Sequence, residues 1–172
     1  MSLKAIALAG VAAVLTATSA SAMVTSATER AELANVAVTQ GFAAFVEEGD
    51  LLKTIGVPAW QENVTYFAPT TSALRDFGAE NIADLLKPEN EVELARFIGA
   101  HVALGALPTA QITGHFDRDD SRPNAAFRSA TGGLIKIEDA GFDLEVNGHE
   151  VVSANMRVGG ALVHQIDGVI GG

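Results

Sequence analysis

The sequence predicts an α+β domain in which helices come first and strands follow. Between Thr28 and Ala100 most apolar residues recur at helical spacing, and beyond that point they alternate with polar residues, as in strands with one solvated face. A short strand interrupts the helical half at Val64 to Phe67 and stops at Pro69, which cannot donate to a ladder. Near the C-terminus, Asn147-Gly148 predicts a type I′ hairpin turn, because both residues tolerate positive φ.

Two helices precede the first strand. Thr28 is the expected cap of the first helix, because Glu29 and Glu32 follow in its first turn. A second, short helix has its apolar residues on one side and ends at Gly49-Asp50. Residues 51–60 contain Gly56 and Pro58, so we expect a loop that leads into the strand.

Three further helices are predicted between the first strand and His101. Thr70 or Thr71 caps the first of them, and Pro88 separates the other two, which cover residues 81–86 and 90–100. The last helix takes Asn90 as its cap. Its buried side is predicted to consist of Leu94, Phe97 and Ile98.

The C-terminal part carries the strand patterns. Leu134 to Glu138 alternates, and so does the run that contains Phe142, Leu144 and Val146. With a two-residue loop at Asn147-Gly148, the hairpin sets Val146 opposite His149, Leu144 opposite Val151 and Glu145 opposite Glu150. The least structured stretch is expected at residues 113–133, which are rich in charge, Gly, Ser and Pro.

The N-terminus has the three-part pattern of a secretory signal peptide. Lys4 precedes an apolar run from Ala5 to Leu15, and Ala20-Ser21-Ala22 forms a cleavage site before Met23. An uncleaved anchor is the less favoured alternative, since the apolar run falls short of the roughly 20 residues that span a bilayer. The predicted organisation is a signal peptide at 1–22, a lead-in at 23–31 and a single domain at 32–172.

Composition narrows the class of protein. The chain has no cysteine, which excludes disulfides, thiolate metal sites and a lipid on an N-terminal cysteine, and is compatible with a bacterial periplasm or exterior. The net charge of −10 argues against nucleic acid, whose binding depends on phosphate neutralisation by Lys and Arg. It also disfavours adsorption to anionic lipid headgroups. No later segment is apolar enough to cross a membrane, and a monomer is the expected state.

Four short segments follow one another in an order that resembles the signature regions of the fasciclin (FAS1) family. The resemblance runs from about Glu32 to Ile170, and Leu74 and Ala100 stand where the family usually has Phe and Tyr. An Asn-Gly pair that the family has before the last histidine is missing. The segments are Phe67-Ala68-Pro69-Thr70, Leu85-Leu86-Lys87-Pro88-Glu89-Asn90, Ala100-His101 and Leu162-Val163-His164-Gln165-Ile166-Asp167.

The resemblance implies a fasciclin-like wedge of two small antiparallel β-sheets with helices clustered at one edge. It also implies binding to proteins, polysaccharides or surfaces, with adhesion as the usual role and without catalytic machinery. The family-motif residues with a structural role would be Phe67, Pro69, Thr70, His101, His164 and Asp167.

Candidate partner-binding residues are transferred from animal members of the family. These bind integrins at an Asp-Ile pair and around a tyrosine-histidine pair. The matching positions are Asn155-Met156 and Ala100-His101, which leaves Asn155, Met156 and His101 as candidates. Because the acidic residue and the tyrosine are both missing, integrin recognition is not expected.

No pattern in the chain predicts catalysis, a cofactor or a metal. His101 and His164 lie among apolar residues and are expected to satisfy buried hydrogen bonds. His164 and Asp167 are three apart on a strand, so they face opposite sides and cannot pair as in a catalytic triad. The Asp117 to Asp120 run begins like a calcium loop, but arginines occupy the glycine and glutamate positions, so a solvated loop is favoured.

The leading functional hypothesis is an exported interaction module, periplasmic or extracellular, that mediates adhesion or binds a protein or polysaccharide of the cell surface or envelope. The alternative is a carrier of a lipophilic small molecule such as a carotenoid, with residues 113–133 covering the ligand, because some fasciclin-like proteins bind carotenoids and the chain is 48% hydrophobic. An envelope enzyme is a distant third.

Overall fold

The computed structural model describes residues 26–48, 63–117, 119, 121–158 and 160–171. The predicted signal peptide and the predicted loop at 51–60 lie outside the described residues. The helices are α1 (Ala27–Gln40), α2 (Phe42–Glu48), α3 (Thr71–Phe77), α4 (Ala79–Leu85), α5 (Glu91–Ala100) and α6 (Thr109–Gly114), with a 3₁₀ turn at Pro88–Asn90. The strands are β1 (Val64–Pro69), β2 (Val102–Leu104), β3 (Asn124–Arg128), β4 (Leu134–Asp139), β5 (Leu144–Val146), β6 (His149–Val158) and β7 (Ala161–Ile166). None of the helices described is long and apolar enough to cross a membrane.

The α+β class is confirmed, and the strands form one seven-stranded sheet in the order β2-β1-β7-β6-β5-β4-β3. The sheet is mixed, because β1 and β7 pair in parallel, from Thr65 opposite Leu162 to Pro69 opposite Ile166. The resemblance implied antiparallel sheets, and the other pairs of described strands are antiparallel; the β1–β7 pair departs from that expectation. Parallel neighbours need a long crossover, and here the crossover contains every described element from α3 to β6. A single bridge between Ala103 and Ser129 joins the two ends of the strand order, so the sheet closes almost into a barrel.

The side chains pack into two apolar clusters on either side of β1. One lies between the helices and the sheet, and the other fills the interior of the curved sheet. All six residues of β1 are buried, as expected for a strand that is covered on both faces. The helical cluster includes Phe42, Phe45, Tyr66, Leu74, Ile82, Leu94 and Ile98, and the interior cluster includes Phe67, Ile112, Ile135, Ile137 and Ile166.

The cap of α1 is Ser26, so the prediction of Thr28 was wrong by two residues. The Ser26 hydroxyl accepts from the Glu29 backbone N–H at 3.1 Å, and the Glu29 carboxylate accepts from the Ser26 N–H at 3.0 Å. This reciprocal pair satisfies two backbone donors at once, which a cap at Thr28 could not do. The helix therefore begins inside the predicted lead-in.

The other two predicted caps differ in outcome. The Thr70 hydroxyl accepts from the Ala73 N–H at 3.1 Å, which confirms Thr70 as the cap of α3. Asn90 precedes α5, but its side chain makes no cap bond there. It instead donates to the Asp84 backbone oxygen at 2.9 Å, and thus ties the 3₁₀ turn to the end of α4.

The β5–β6 hairpin has the predicted turn. Asn147 and Gly148 have φ values of 50° and 85°, and the pairs Val146–His149 and Glu145–Glu150 are present. The ladder stops there, so the predicted Leu144–Val151 pair does not form. Arg122 donates to the Glu145 carboxylate at 2.9 Å and offsets the repulsion between the two facing glutamates.

The expectation of little structure at residues 113–133 was wrong. The segment contains β3, which pairs with β4 from Asn124 opposite Glu138 to Arg128 opposite Leu134. Its sequence, Asn-Ala-Ala-Phe-Arg, has only one residue that favours strands, so the pairing with β4 determines its conformation rather than local propensity.

His101 connects the end of α5 to the C-terminal segment. Its ring is fully buried, Nδ1 donates to the Phe97 backbone oxygen at 2.7 Å, and Nε2 accepts from the Ile170 N–H at 2.9 Å. Both nitrogens are satisfied only in the neutral ring, since a protonated Nε2 could not accept. Burial lowers the pKa of His101 to about 4, with a further lowering from His149, while the bond to Phe97 acts in the opposite direction.

Replacement of the α1 cap tests its identity. Ser26→Ala should lower the free energy of unfolding by about 1 kcal/mol, because the Glu29 N–H loses its acceptor. The matched change Thr28→Ala should leave stability unchanged or slightly raised, because Thr28 is exposed within the first turn and Ala favours helices. Urea denaturation of both variants measures the difference. Equal losses would contradict the assignment of the cap.

The buried His101 predicts a loss of stability in mild acid. Its pKa lies below its ordinary value, so the unfolded chain binds the proton more readily than the folded one. The neutral ring therefore contributes fully to the free energy of unfolding above about pH 6.5. This contribution, on the order of 3 kcal/mol, is lost as the pH falls towards 4. Urea denaturation at pH 7, 6 and 5 should show a steeper decline for the unaltered chain than for His101→Gln. Parallel declines would count against a neutral His101 in the fold.

Candidate functional site

A surface cleft of about 340 Å³ lies between α6, the turn that joins β4 to β5, and β6. One wall is formed by threonines of α6 and the other by the turn. The residues that line it are Thr109, Thr113, Asp139, Gly141, Phe142, Asp143, Leu144, Val151 and Ala154.

The turn between β4 and β5 presents Phe142 to solvent. Asp139 and Leu144 pair at its base, the Ala140 N–H donates to the Asp143 backbone oxygen at 2.9 Å, and the Gly141 N–H donates to the Asp139 carboxylate at 2.8 Å. Phe142 is 103% exposed, although the alternating pattern predicted it as a strand residue on the apolar side. The strand starts only at Leu144, because these bonds close a four-residue turn before it.

Asn155 holds the first turn of α6, and thereby one wall of the cleft. Its Oδ1 accepts from the Thr109 N–H at 3.0 Å, and its Nδ2 donates to the Thr109 hydroxyl at 2.9 Å. Asn155 has a φ of 58° in a stretch of β6 where the register against β7 shifts, and this conformation turns its side chain out of the strand ladder. Asn tolerates this conformation better than most residues.

His164 fixes the connector between β2 and α6. It is buried, Nε2 donates to the Leu107 backbone oxygen at 2.9 Å, and Nδ1 accepts from the Asn155 N–H at 3.4 Å. Its ring stacks on Phe67 with a centroid separation of 5.5 Å. Burial lowers the pKa of His164, and the bond to the Leu107 oxygen only partly opposes this, so the ring is neutral in the folded chain.

Thr65 completes the attachment of the connector. Its hydroxyl donates to the Gly105 backbone oxygen at 2.7 Å and accepts from the Leu107 N–H at 2.9 Å. The sequence analysis missed Thr65, although a hydroxyl inside an otherwise apolar strand was a usable signal. Neighbouring strands β1, β7 and β6 thus contribute Thr65, His164 and Asn155, and together they position the segment from Gly105 to Thr109.

The remaining predicted residues lie apart from the cleft. Met156 is half-buried opposite Val163 and packs against the helical cluster, and His101 is fully buried beneath the C-terminal segment. Asp167 accepts from the Glu150 N–H at 2.7 Å, so it has a partner different from that of His164. Asp117 accepts from the Asp119 N–H at 3.0 Å.

Within the described ranges, no group of three or more His, Cys, Asp or Glu residues is placed to hold a metal ion.

Removal of the Asn155 side chain should loosen the wall formed by α6. Asn155→Gly keeps the positive φ accessible but deletes both bonds to Thr109, so amide hydrogen exchange in residues 109–114 should accelerate, and stability should fall by about 1 to 2 kcal/mol. Asn155→Ala should cost more, because it adds backbone strain. Asn35→Ala, at an exposed position on α1, is the control. Unchanged exchange in Asn155→Gly would show that other contacts hold α6.

Comparison with known proteins identifies the family. Residues 37–171 match the family profile described as "Fasciclin domain". A solved structure of a FAS1 domain pair from the insect cell adhesion molecule Fasciclin I is similar, with 17% identity and a TM-score of 0.45, over 81% of this chain and 44% of that one. The chain thus spans less than half the length of that structure. No curated protein sequence matches.

The profile covers well over half of the chain, and the predicted resemblance to this family is confirmed. The chain belongs to the fasciclin domain family.

Proposed function

We propose that this fasciclin domain is an exported interaction module that binds a protein or polysaccharide of the cell surface or envelope through the cleft. Fasciclin domains occur in adhesion-type, typically extracellular proteins, and the predicted signal peptide at 1–22 agrees with export. The observation that carries the proposal is Phe142, an aromatic side chain fully exposed on a closed turn at the rim of the cleft.

An exposed aromatic residue is stronger evidence for a binding site when apolar residues lie beside it. Isolated apolar residues on a surface are ordinary, but Phe142 lines the cleft together with the apolar residues Leu144, Val151 and Ala154. Aromatic side chains that enter a partner's pocket supply much of the binding energy at interfaces. Because hydrogen bonds fix the turn, little conformational entropy is lost when a partner covers Phe142.

Binding is better supported than catalysis. His101 and His164 are both neutral, and each is used in bonds to backbone groups, so neither is placed for proton transfer to a molecule in the cleft. The groups that line the cleft are carboxylates, threonine hydroxyls and apolar side chains, which suit recognition.

The carrier alternative has less support. The cleft volume of about 340 Å³ lies at the small end of the range for ligand pockets, about 300 to 1,000 Å³. Residues 113–133, which were expected to cover a ligand, instead contribute Thr113 to the cleft and form β3 of the sheet. Deletion of this segment would remove a strand and is no clean test of a lid.

Truncation of Phe142 tests the role of the cleft. Phe142→Ala should weaken binding of the mature chain to isolated envelopes or surface polymers of the producing cell by about tenfold or more. As a control, Val92→Ala removes an exposed apolar side chain from α5, outside the cleft, and should leave binding unchanged. Cosedimentation measures binding, and thermal unfolding confirms that both variants fold.

Equal binding by all three proteins would refute the role of the cleft. A lipophilic compound in an organic extract of the purified chain, near one per chain and lost in Phe142→Ala, would favour the carrier instead.

A further inference from the structure

We propose that the partner of the cleft is a polypeptide segment that places a Lys or Arg side chain next to an apolar one. The proposal rests on the function assigned to the cleft and adds the chemistry of its occupant.

The charge of the cleft has one sign. Asp139 and Asp143 line it, and among the described residues that line it there is no Lys or Arg. Nearby cations are used elsewhere, since Arg122 pairs with Glu145 at 2.9 Å and Lys136 with Glu138 at 3.0 Å. Each of these glutamates is adjacent in sequence to a lining residue, so strand alternation directs it to the opposite face. An occupant that carries a positive charge would therefore supply the missing counter-charge.

Phe142 adds a second reason for a cation. Its exposed ring lies next to Asp143 in the chain, and a cation on the face of the ring gains attraction from the π-system as well as from the carboxylate. Each effect is worth about two- to fivefold in affinity at an exposed site. The planar guanidinium of Arg suits this arrangement better than the ammonium of Lys, because it can stack on the ring while it donates to a carboxylate.

The apolar residues that line the cleft favour an apolar group beside the cation. The side chains of Leu144, Val151 and Ala154 offer no hydrogen bonds, so a partner gains by covering them with an apolar side chain. A polypeptide segment with a basic residue between apolar ones meets both requirements.

Other occupants fit less well. Acidic polysaccharides and anionic bilayers are repelled by the two carboxylates and by the net charge of −10. A neutral sugar could stack on Phe142 and bond the carboxylates, but it would bring neither a counter-charge for them nor an apolar side chain for Leu144 and Val151. A second copy of this acidic chain is disfavoured by the same repulsion.

Three peptides of equal length test the proposal. They are blocked at both ends, flanked by Gly and Ser, and carry Leu-Arg-Leu, Leu-Gln-Leu or Leu-Glu-Leu at the centre. In titrations of the mature chain, followed by NMR shifts of the cleft residues, the Arg peptide should bind about fivefold more tightly than the Gln peptide, and the Glu peptide most weakly. The preference for Arg should shrink as NaCl is raised.

Neutralisation of one carboxylate tests whether the preference for the Arg peptide arises in the cleft. Asp143→Asn should weaken binding of the Arg peptide about two- to fivefold and leave binding of the Gln peptide unchanged. Asp76→Asn makes the same change of charge at an exposed position on α3, and should alter neither. Asp143 is exposed, so the variant is expected to fold, and the comparison of peptides on the unaltered chain is an independent test.

The outcomes separate the two proposals. Equal binding of the Arg and Gln peptides, with both lost in Phe142→Ala, would overturn the cationic partner and keep the cleft as a binding site. Binding of a neutral oligosaccharide or of phospholipid vesicles that depends on Phe142, without peptide binding, would overturn it in the same way. If Phe142→Ala changed the binding of no probe and of no envelope preparation, both proposals would fail.

Discussion

The parallel pairing of β1 with β7 is the constraint on which the rest of the structure depends. It joins the first and the last of the described strands, and each face of β1 is covered by one of the two apolar clusters. The register of this pair also places Thr65 and His164 so that both reach the connector ahead of α6. A shift of one residue would exchange the two faces of a strand and break these bonds. The position of the cleft wall formed by α6 therefore depends on the register of β1 against β7.

The polar side chains buried in this apolar interior are tolerated because they are hydrogen-bonded. Burial of a polar group is costly unless it finds a partner, and in the part of the chain that the structure describes no buried side-chain nitrogen or oxygen lacks one. His101 and His164 use both ring nitrogens, in opposite tautomers, to hold backbone groups, and one partner of each lies more than 50 residues away. A histidine is suited to this because the neutral ring donates on one side and accepts on the other. The buried histidines thus act as rigid connectors between segments of the chain.

Local signals predicted the features that depend on local physics. Helical periodicity, the Thr70 cap and the Asn147-Gly148 turn were recovered, because neighbouring residues determine them. Two kinds of feature were missed. Some depend on a partner that is distant in sequence, and for others the local sequence fits two conformations about equally well. β3 exists because β4 pairs with it, and Phe142 is exposed because hydrogen bonds close the turn before β5. At the site, His164 was identified from its motif, whereas Thr65 and Thr109 were missed, because their partners lie 42 and 46 residues away.

Because the last strand, β7, lies inside the sheet, its pairing affects the way the domain folds. Thr65 pairs with Leu162, so 162 − 65 = 97 residues separate the two members of this inner strand pair. Contacts of such long range slow folding, because the entropy of loop closure is lost before the contacts can form. During synthesis β1 has to wait for its neighbour until almost all of the domain has been made. A chain that ends ahead of Ala161 would lack an inner strand rather than an edge, and would leave the hydrogen-bonding groups of β1 and β6 open to other chains.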